Sequence, residues 1–165
     1  MAFVNRIKNL FPDLFLGKRV LEIGSLDING SIRPLFANCV YVGVDLGPGP
    51  GVDLVVAGED LTYPDGSFDV VASCECFEHN PNWVATFNNM TRMSRELVFF
   101  SCATTGRPEH GTRRCNPHDA PFCGDHYRNL TAEDVMAECD LSSYEMYEFS
   151  VNDQAHDLYF WGVKK

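Results

Sequence analysis

The sequence predicts an α/β fold in which a mostly parallel sheet finishes in an antiparallel hairpin. Three observations carry this expectation. Short apolar runs rich in Val, Ile, Phe and Tyr recur along the first two thirds of the chain, as buried parallel strands do. Segments with helical signals alternate with them. The last third closes on two strand-like runs, SSYEMYEFSVN and HDLYFWGVKK, separated by the turn formers Asn152, Asp153 and Gln154.

The apolar runs place strands at 19–24, 39–45, 52–57, 68–74 and 96–102. Helices are expected at 4–15, 31–37 and 82–95. In the third of these, Trp83, Phe87, Met90 and either Met93 or Ser94 form one stripe that covers a sheet face by ordinary packing. Thr131-Ala-Glu-Asp134 has the spacing of a capping box and opens a helix running to about Asp140. Only Leu-Gly-Pro-Gly-Pro-Gly-Val separates the second and third strands, which is too short and too rich in turn formers for a crossover helix. The expected fold is therefore a compact one lacking that helix. Residues 1–165 read as a single domain, with a loop-rich insert at 104–130.

Charge narrows the partners. Thirteen basic and 23 acidic residues give a net charge of −10, which repels a nucleic-acid backbone. No window has the length of a membrane span, and the first residues lack the pattern of a signal peptide. A cytoplasmic protein is the expectation. Seven cysteines form an odd set, three of them inside strand-like runs, so reduced thiols fit better than a disulfide framework.

The first two strands carry a binding signature. An open α/β sheet binds ligands beyond the carboxyl ends of its strands. A nucleoside cofactor needs a close-approach turn after the first strand and a carboxylate after the second, roughly 20 residues on, for the ribose hydroxyls. Gly24 and Asp45 meet that spacing.

VLEIG, YVGVDL, the DL-x-Y-PDGSFDVV segment and the following Glu78-His79 then come in fixed order. In combination they resemble the class I S-adenosylmethionine-dependent methyltransferases, whose core is a Rossmann-like, three-layer α/β/α sandwich around a seven-stranded sheet. The closing NLTAEDV and DLYFWGVKK resemble the family's last helix and final strand. The resemblance implies S-adenosyl-L-methionine as cofactor, S-adenosyl-L-homocysteine as product and a small-molecule acceptor.

It also implies site residues. Gly24 and Ser25 approach the methionine portion, with Glu22 supporting the turn. Asp45 holds the ribose hydroxyls and Leu46 lies beside the adenine, with Glu59, Asp60 and Leu61 at its edge. Ser73 or Cys74 borders the methyl group. Two departures stand out: Leu26 and Ile28 occupy positions often held by glycine, and the usual adenine-contacting acid falls at Ala57.

Methyl transfer depends chiefly on positioning, but an acceptor of high pKa needs a base. Glu75, Glu78 and His79 follow the fourth strand where one is required, and His79 is the first choice, its alternative a helix-start histidine bonded to backbone. The insert holds Arg107, Arg113, Arg114 and Arg128, a local positive density that suggests an anionic or carboxylated acceptor met by Arg107, His110, Arg113, Tyr127 and Arg128. These arginines could instead pair with the chain's own carboxylates. Cys115, His118, Cys123 and His126 form Cys-x2-His twice, a set compatible with tetrahedral zinc. Two other readings stay open: a cofactor-binding protein without turnover, and a zinc-stabilised interaction module on the same fold.

Overall fold

A computed structural model describes residues 1–165. It contains seven strands: β1 (Arg19–Ile23), β2 (Val40–Asp45), β3 (Leu54–Val55), β4 (Phe68–Cys74), β5 (Ser94–Ala103), β6 (Tyr144–Asn152) and β7 (Asp157–Lys164). Three α-helices accompany them: α1 (Ala2–Leu10), α2 (Trp83–Met93) and α3 (Ala132–Glu138). All strands form one sheet in the order β3-β2-β1-β4-β5-β7-β6. The first five strands pair in parallel, and β7 runs antiparallel to both β5 and β6.

Side chains alternate along each strand and so feed two cores. Leu21 and Ile23 of β1, Val71 of β4 and Val98 and Phe100 of β5 face α2 and α3. Val20, Val70, Ala72, Leu97 and Phe99 face α1. The result is the expected three-layer sandwich. On α2, Trp83, Phe87, Met90 and Met93 are all buried, as their spacing requires. Thr131 and Asp134 exchange both capping-box bonds at the start of α3.

Three elements differ from expectation, and proline explains the first. The residue before a proline is pushed out of the α region. Phe11, which precedes Pro12, lies outside the α region at φ −131° and ψ 61°, so the first helix ends at Leu10 and only a 3-10 turn, Pro12–Phe15, follows. Between β1 and β2 the expected helix is reduced to the 3-10 turn Arg33–Leu35 around Pro34. The third strand shrinks to two residues, both exposed at the sheet edge.

The missing crossover helix is replaced by a bracing loop. Residues 46–53 fold back on the turn after β1, where Asp27 N–H donates to the Pro50 carbonyl at 2.9 Å. Glycine is required at 51 (φ +87°), where a Cβ would lie 2.4 Å from the Ser25 carbonyl oxygen.

Candidate functional site

The strand order reverses between β1 and β4, and a cleft of about 950 Å³ opens there beyond the strands' carboxyl ends. Its walls come from the turns after β1, β2 and β4, from α1 and from the insert. Of the residues expected at the site, Glu22, Gly24, Ser25, Asp45, Leu46, Glu59, Cys74, Glu75, His79, Arg107 and His110 line it.

One end of the cleft is built on β1 and β2. Gly24 takes φ +77°, and a Cβ there would meet Cys76 Cβ at 2.7 Å, so only glycine lets the two turns close together. The amides of Gly24 and Ser25 both donate to the Val44 carbonyl, at 2.9 and 3.0 Å. Asp45 accepts from Leu26 N–H at 3.0 Å and from its neighbour Leu46 N–H at 2.7 Å. Each of its carboxylate oxygens keeps a further lone pair for a ligand. Behind the turn, Glu22 accepts from the Tyr41 hydroxyl at 2.7 Å. Burial pushes the Glu22 carboxyl up to about 7, and the Tyr41 bond partly offsets this.

The other end is built on the turn after β4 and on the insert. Glu75 sits at φ +53°, in the left-handed region that a non-glycine residue occupies only when its surroundings hold it there. Its carboxylate accepts from the Ser101 hydroxyl at 2.7 Å, and Arg107 Nη2 approaches at 3.9 Å. Desolvation by the concave walls raises the Glu75 carboxyl.

Glu78 and His79 lie in the 3-10 turn Phe77–His79 and are both buried. Neither Glu78 oxygen nor His79 Nδ1 has a hydrogen-bond partner. Burial pushes the Glu78 carboxyl up to about 8, with Glu75 adding repulsion; the amides of Glu78 and Ala103 temper the shift without bonding geometry. Burial drives His79 down to about 4, with His110 adding to it, so its imidazole is neutral at pH 7.

Several expected site residues lie elsewhere. Leu61 is buried in the core against α2, and Ser73 is wholly buried within β4, so neither lines the cleft. Asp60 is exposed outside it. Glu59 borders the cleft but accepts from Asn82 Nδ2 at 2.8 Å and Thr86 Oγ1 at 2.9 Å, anchoring the start of α2. Desolvation opposes this, yet the bonds from Asn82, Thr86 and Asn80 hold its carboxyl below the usual range.

On the insert, Arg128 pairs with Asp134 at 2.7 Å on α3 rather than with the cleft, and Arg113 is exposed. Tyr127 donates to the Pro108 carbonyl at 3.0 Å, its ring 5.0 Å from that of His110. Cys115, His118, Cys123 and His126 do not come together as a ligand set; the left-handed Asn116 and the turn Pro117–Asp119 carry His118 to the surface. The residues whose ligand atoms do converge are Glu78, His79 and His110, within 4.8 Å of one another.

Sequence reasoning missed Phe122, Gly47 and the Gly49–Gly51 brace. Phe122 lines the cleft and packs so closely on Gly47 that a Cβ there would lie 2.1 Å from its ring. The alternating Gly-Pro run was the available signal: it reads as a turn, but close approach explains it better, of Gly47 to the Phe122 ring and of Gly51 to the Ser25 backbone.

A family model described as a methyltransferase domain matches residues 21–101. No curated protein matches the chain in sequence. Among solved structures, phosphoethanolamine N-methyltransferase 2 of Haemonchus contortus in complex with S-adenosyl-L-methionine aligns with 99% of this chain and 52% of its own, at 14% identity and TM-score 0.69. The 1,6-didemethyltoxoflavin-N1-methyltransferase of Burkholderia thailandensis, with its substrate and S-adenosylhomocysteine bound, aligns with 99% of this chain and 78% of its own, at 16% identity and TM-score 0.66. Magnesium protoporphyrin IX methyltransferase of Synechocystis aligns with 98% and 79%, at 11% identity and TM-score 0.62. The family match runs from β1 into β5, and over nearly its whole length the chain has the seven-stranded fold of these methyltransferases.

Proposed function

We propose that this chain transfers the methyl group of S-adenosylmethionine to a small acceptor held between the turn after β4 and the insert. One observation carries the reading. A single continuous cleft has Gly24, Asp45 and Leu46 at one end and Glu75, His79 and His110 at the other. When bound, the cofactor supplies a sulfonium methyl group already activated for transfer.

The chain's own residues bind, orient and exclude water. Gly24 allows close approach to the methionine portion, and the free lone pairs of Asp45 accept from the ribose hydroxyls. Leu46 and Phe122 flank the base. Glu75, fixed by Ser101 and facing the cleft, is placed to take a proton from the acceptor. Arg107 positions Glu75 while Asp157 holds its other arm at 2.6 Å.

The acceptor class follows from what lines its end of the cleft. Arg107 is the one arginine there, and it is already paired. That arrangement supports an uncharged or weakly basic acceptor over an anionic one. The seven unpaired cysteines support a cytoplasmic setting.

Calorimetric titration with S-adenosylmethionine and S-adenosylhomocysteine tests the cofactor half. Both should bind, and Asp45→Ala should weaken each by about 1–3 kcal/mol. No heat from either ligand would sink the assignment, and unchanged affinity in the variant would remove Asp45 from it. A screen of small-molecule pools with methyl-labelled cofactor then identifies the acceptor.

A further inference from the structure

The acceptor end holds donor groups that the methyl-transfer reading leaves unused. Glu78 is wholly buried and His79 nearly so, yet both carboxylate oxygens and His79 Nδ1 lack partners. Buried polar atoms are almost always satisfied, so three orphans on adjacent residues point to something that joins them. His110 faces them from the insert. Its Nδ1 lies 3.1 Å from the Pro108 carbonyl, which as acceptor fixes the proton on Nδ1 and leaves Nε2 with a free lone pair. This backbone support is the one that metal-ligating histidines usually have.

The chain is shaped to hold this group together. Gly111 (φ +65°) presses against the His79 ring, where a Cβ would lie 2.6 Å from Cε1. Any other residue at 111 would collide with the His79 ring and with Ala120 Cβ, 2.7 Å away. The rings of His79 and His110 meet edge to face at 5.0 Å.

We infer that Glu78, His79 and His110 form a binding site for one divalent transition-metal ion, with zinc the first candidate. Two imidazoles and a carboxylate suit zinc, manganese or ferrous iron. The ligand atoms, within 4.8 Å of one another, close onto an ion with small side-chain rotations. Three protein ligands leave a position open. That position faces the cleft beside Glu75, where an oxygen or nitrogen of the acceptor would bind and lose its proton more readily. Metal binding itself does not depend on the methyltransferase reading.

The test uses the full chain, stripped with chelator and without cofactor. Calorimetry with zinc should give one saturable equivalent, and His110→Ala, a change on a half-buried loop residue, should weaken it at least about tenfold. A double Cys115→Ser/Cys123→Ser variant should bind as tightly as the parent. Cobalt should give a visible spectrum without thiolate charge-transfer bands. Absence of saturable binding, unchanged affinity in His110→Ala, or loss of binding in the cysteine variant would each overturn the site. Melting curves of the metal-free variants establish that each is folded. If the orphans instead receive the ammonium group of a basic acceptor, zinc gives no saturable heat.

Discussion

The two ends of the cleft are built in opposite ways. At the β1–β2 end most polar groups are already paired: Asp45 to two amides, Glu22 to Tyr41, and the turn to Val44 and Pro50, with Ser25 Oγ the exception. At the β4–insert end both Glu78 oxygens and His79 Nδ1 have no partner. One end is organised before any ligand arrives; the other stores a desolvation cost that a ligand would relieve. The same residue type, a buried glutamate, sits at each end and has opposite roles.

Glu22 should give the largest effect. Its folded value of about 7 lies above the ordinary 4.5, so the folded chain keeps a proton that the unfolded chain releases. The stability this confers is fully present below about pH 4.5 and is lost as pH rises through 7. Glu22→Gln keeps an acceptor for Tyr41 and removes the titration. Between pH 4.5 and 8 the parent should therefore lose about 3 kcal/mol relative to the variant, read from urea unfolding at each pH. Parallel stability curves would show that Glu22 is not buried in this way.

Glu78 sharpens the contrast. Glu78→Met replaces an unpartnered carboxyl with an apolar side chain of similar length and should stabilise the free protein by about 1–3 kcal/mol. Destabilisation would mean that the carboxyl already has a partner in the free protein. A similar exchange at Glu22 should cost stability instead, because it leaves the Tyr41 hydroxyl unpaired.

The brace under the cofactor turn comes next. Gly51→Ala meets both a left-handed backbone, costing about 1–2 kcal/mol, and the Ser25 carbonyl. Gly17→Ala has a similar φ of +67° with nothing within 4 Å, so it carries the backbone cost alone. A larger loss of Tm and of S-adenosylhomocysteine affinity in Gly51→Ala than in Gly17→Ala isolates the brace. Equal losses would reduce it to a turn.

The contrast also explains what the sequence made legible. Strands, the α2 stripe and the α3 cap could be read because each depends on local period or spacing. The β1–β2 end was legible for a similar reason: Gly24 and Asp45 act through backbone geometry at a fixed interval along neighbouring strands. The acceptor end depends instead on how a long insert folds back, which no local period records. The paired spacing of Cys115, His118, Cys123 and His126 suggested a ligand set, whereas His110, alone in sequence, is the insert residue whose ligand atom converges with those of Glu78 and His79. Proline's effect on the preceding residue was present in the sequence at Phe11 and was outweighed there by apolar periodicity.

Arg128 should give the smallest effect, and it tests where the cleft ends. Its guanidinium reaches Asp134 at 2.7 Å and Glu138 at 3.9 Å, with its side chain 44% exposed. An exposed pair of this kind contributes about 0.2–1 kcal/mol, further reduced by salt. Its backbone does more, since Arg128 N–H donates to the Glu78 carbonyl at 2.9 Å and ties the end of the insert to the β4 turn. Arg128→Ala keeps that bond and removes only the ion pair. Stability should therefore fall by less than about 1 kcal/mol, while S-adenosylhomocysteine affinity and the set of acceptors methylated stay unchanged. An altered acceptor set would return Arg128 to the substrate wall and extend the cleft beyond Arg107 toward α3.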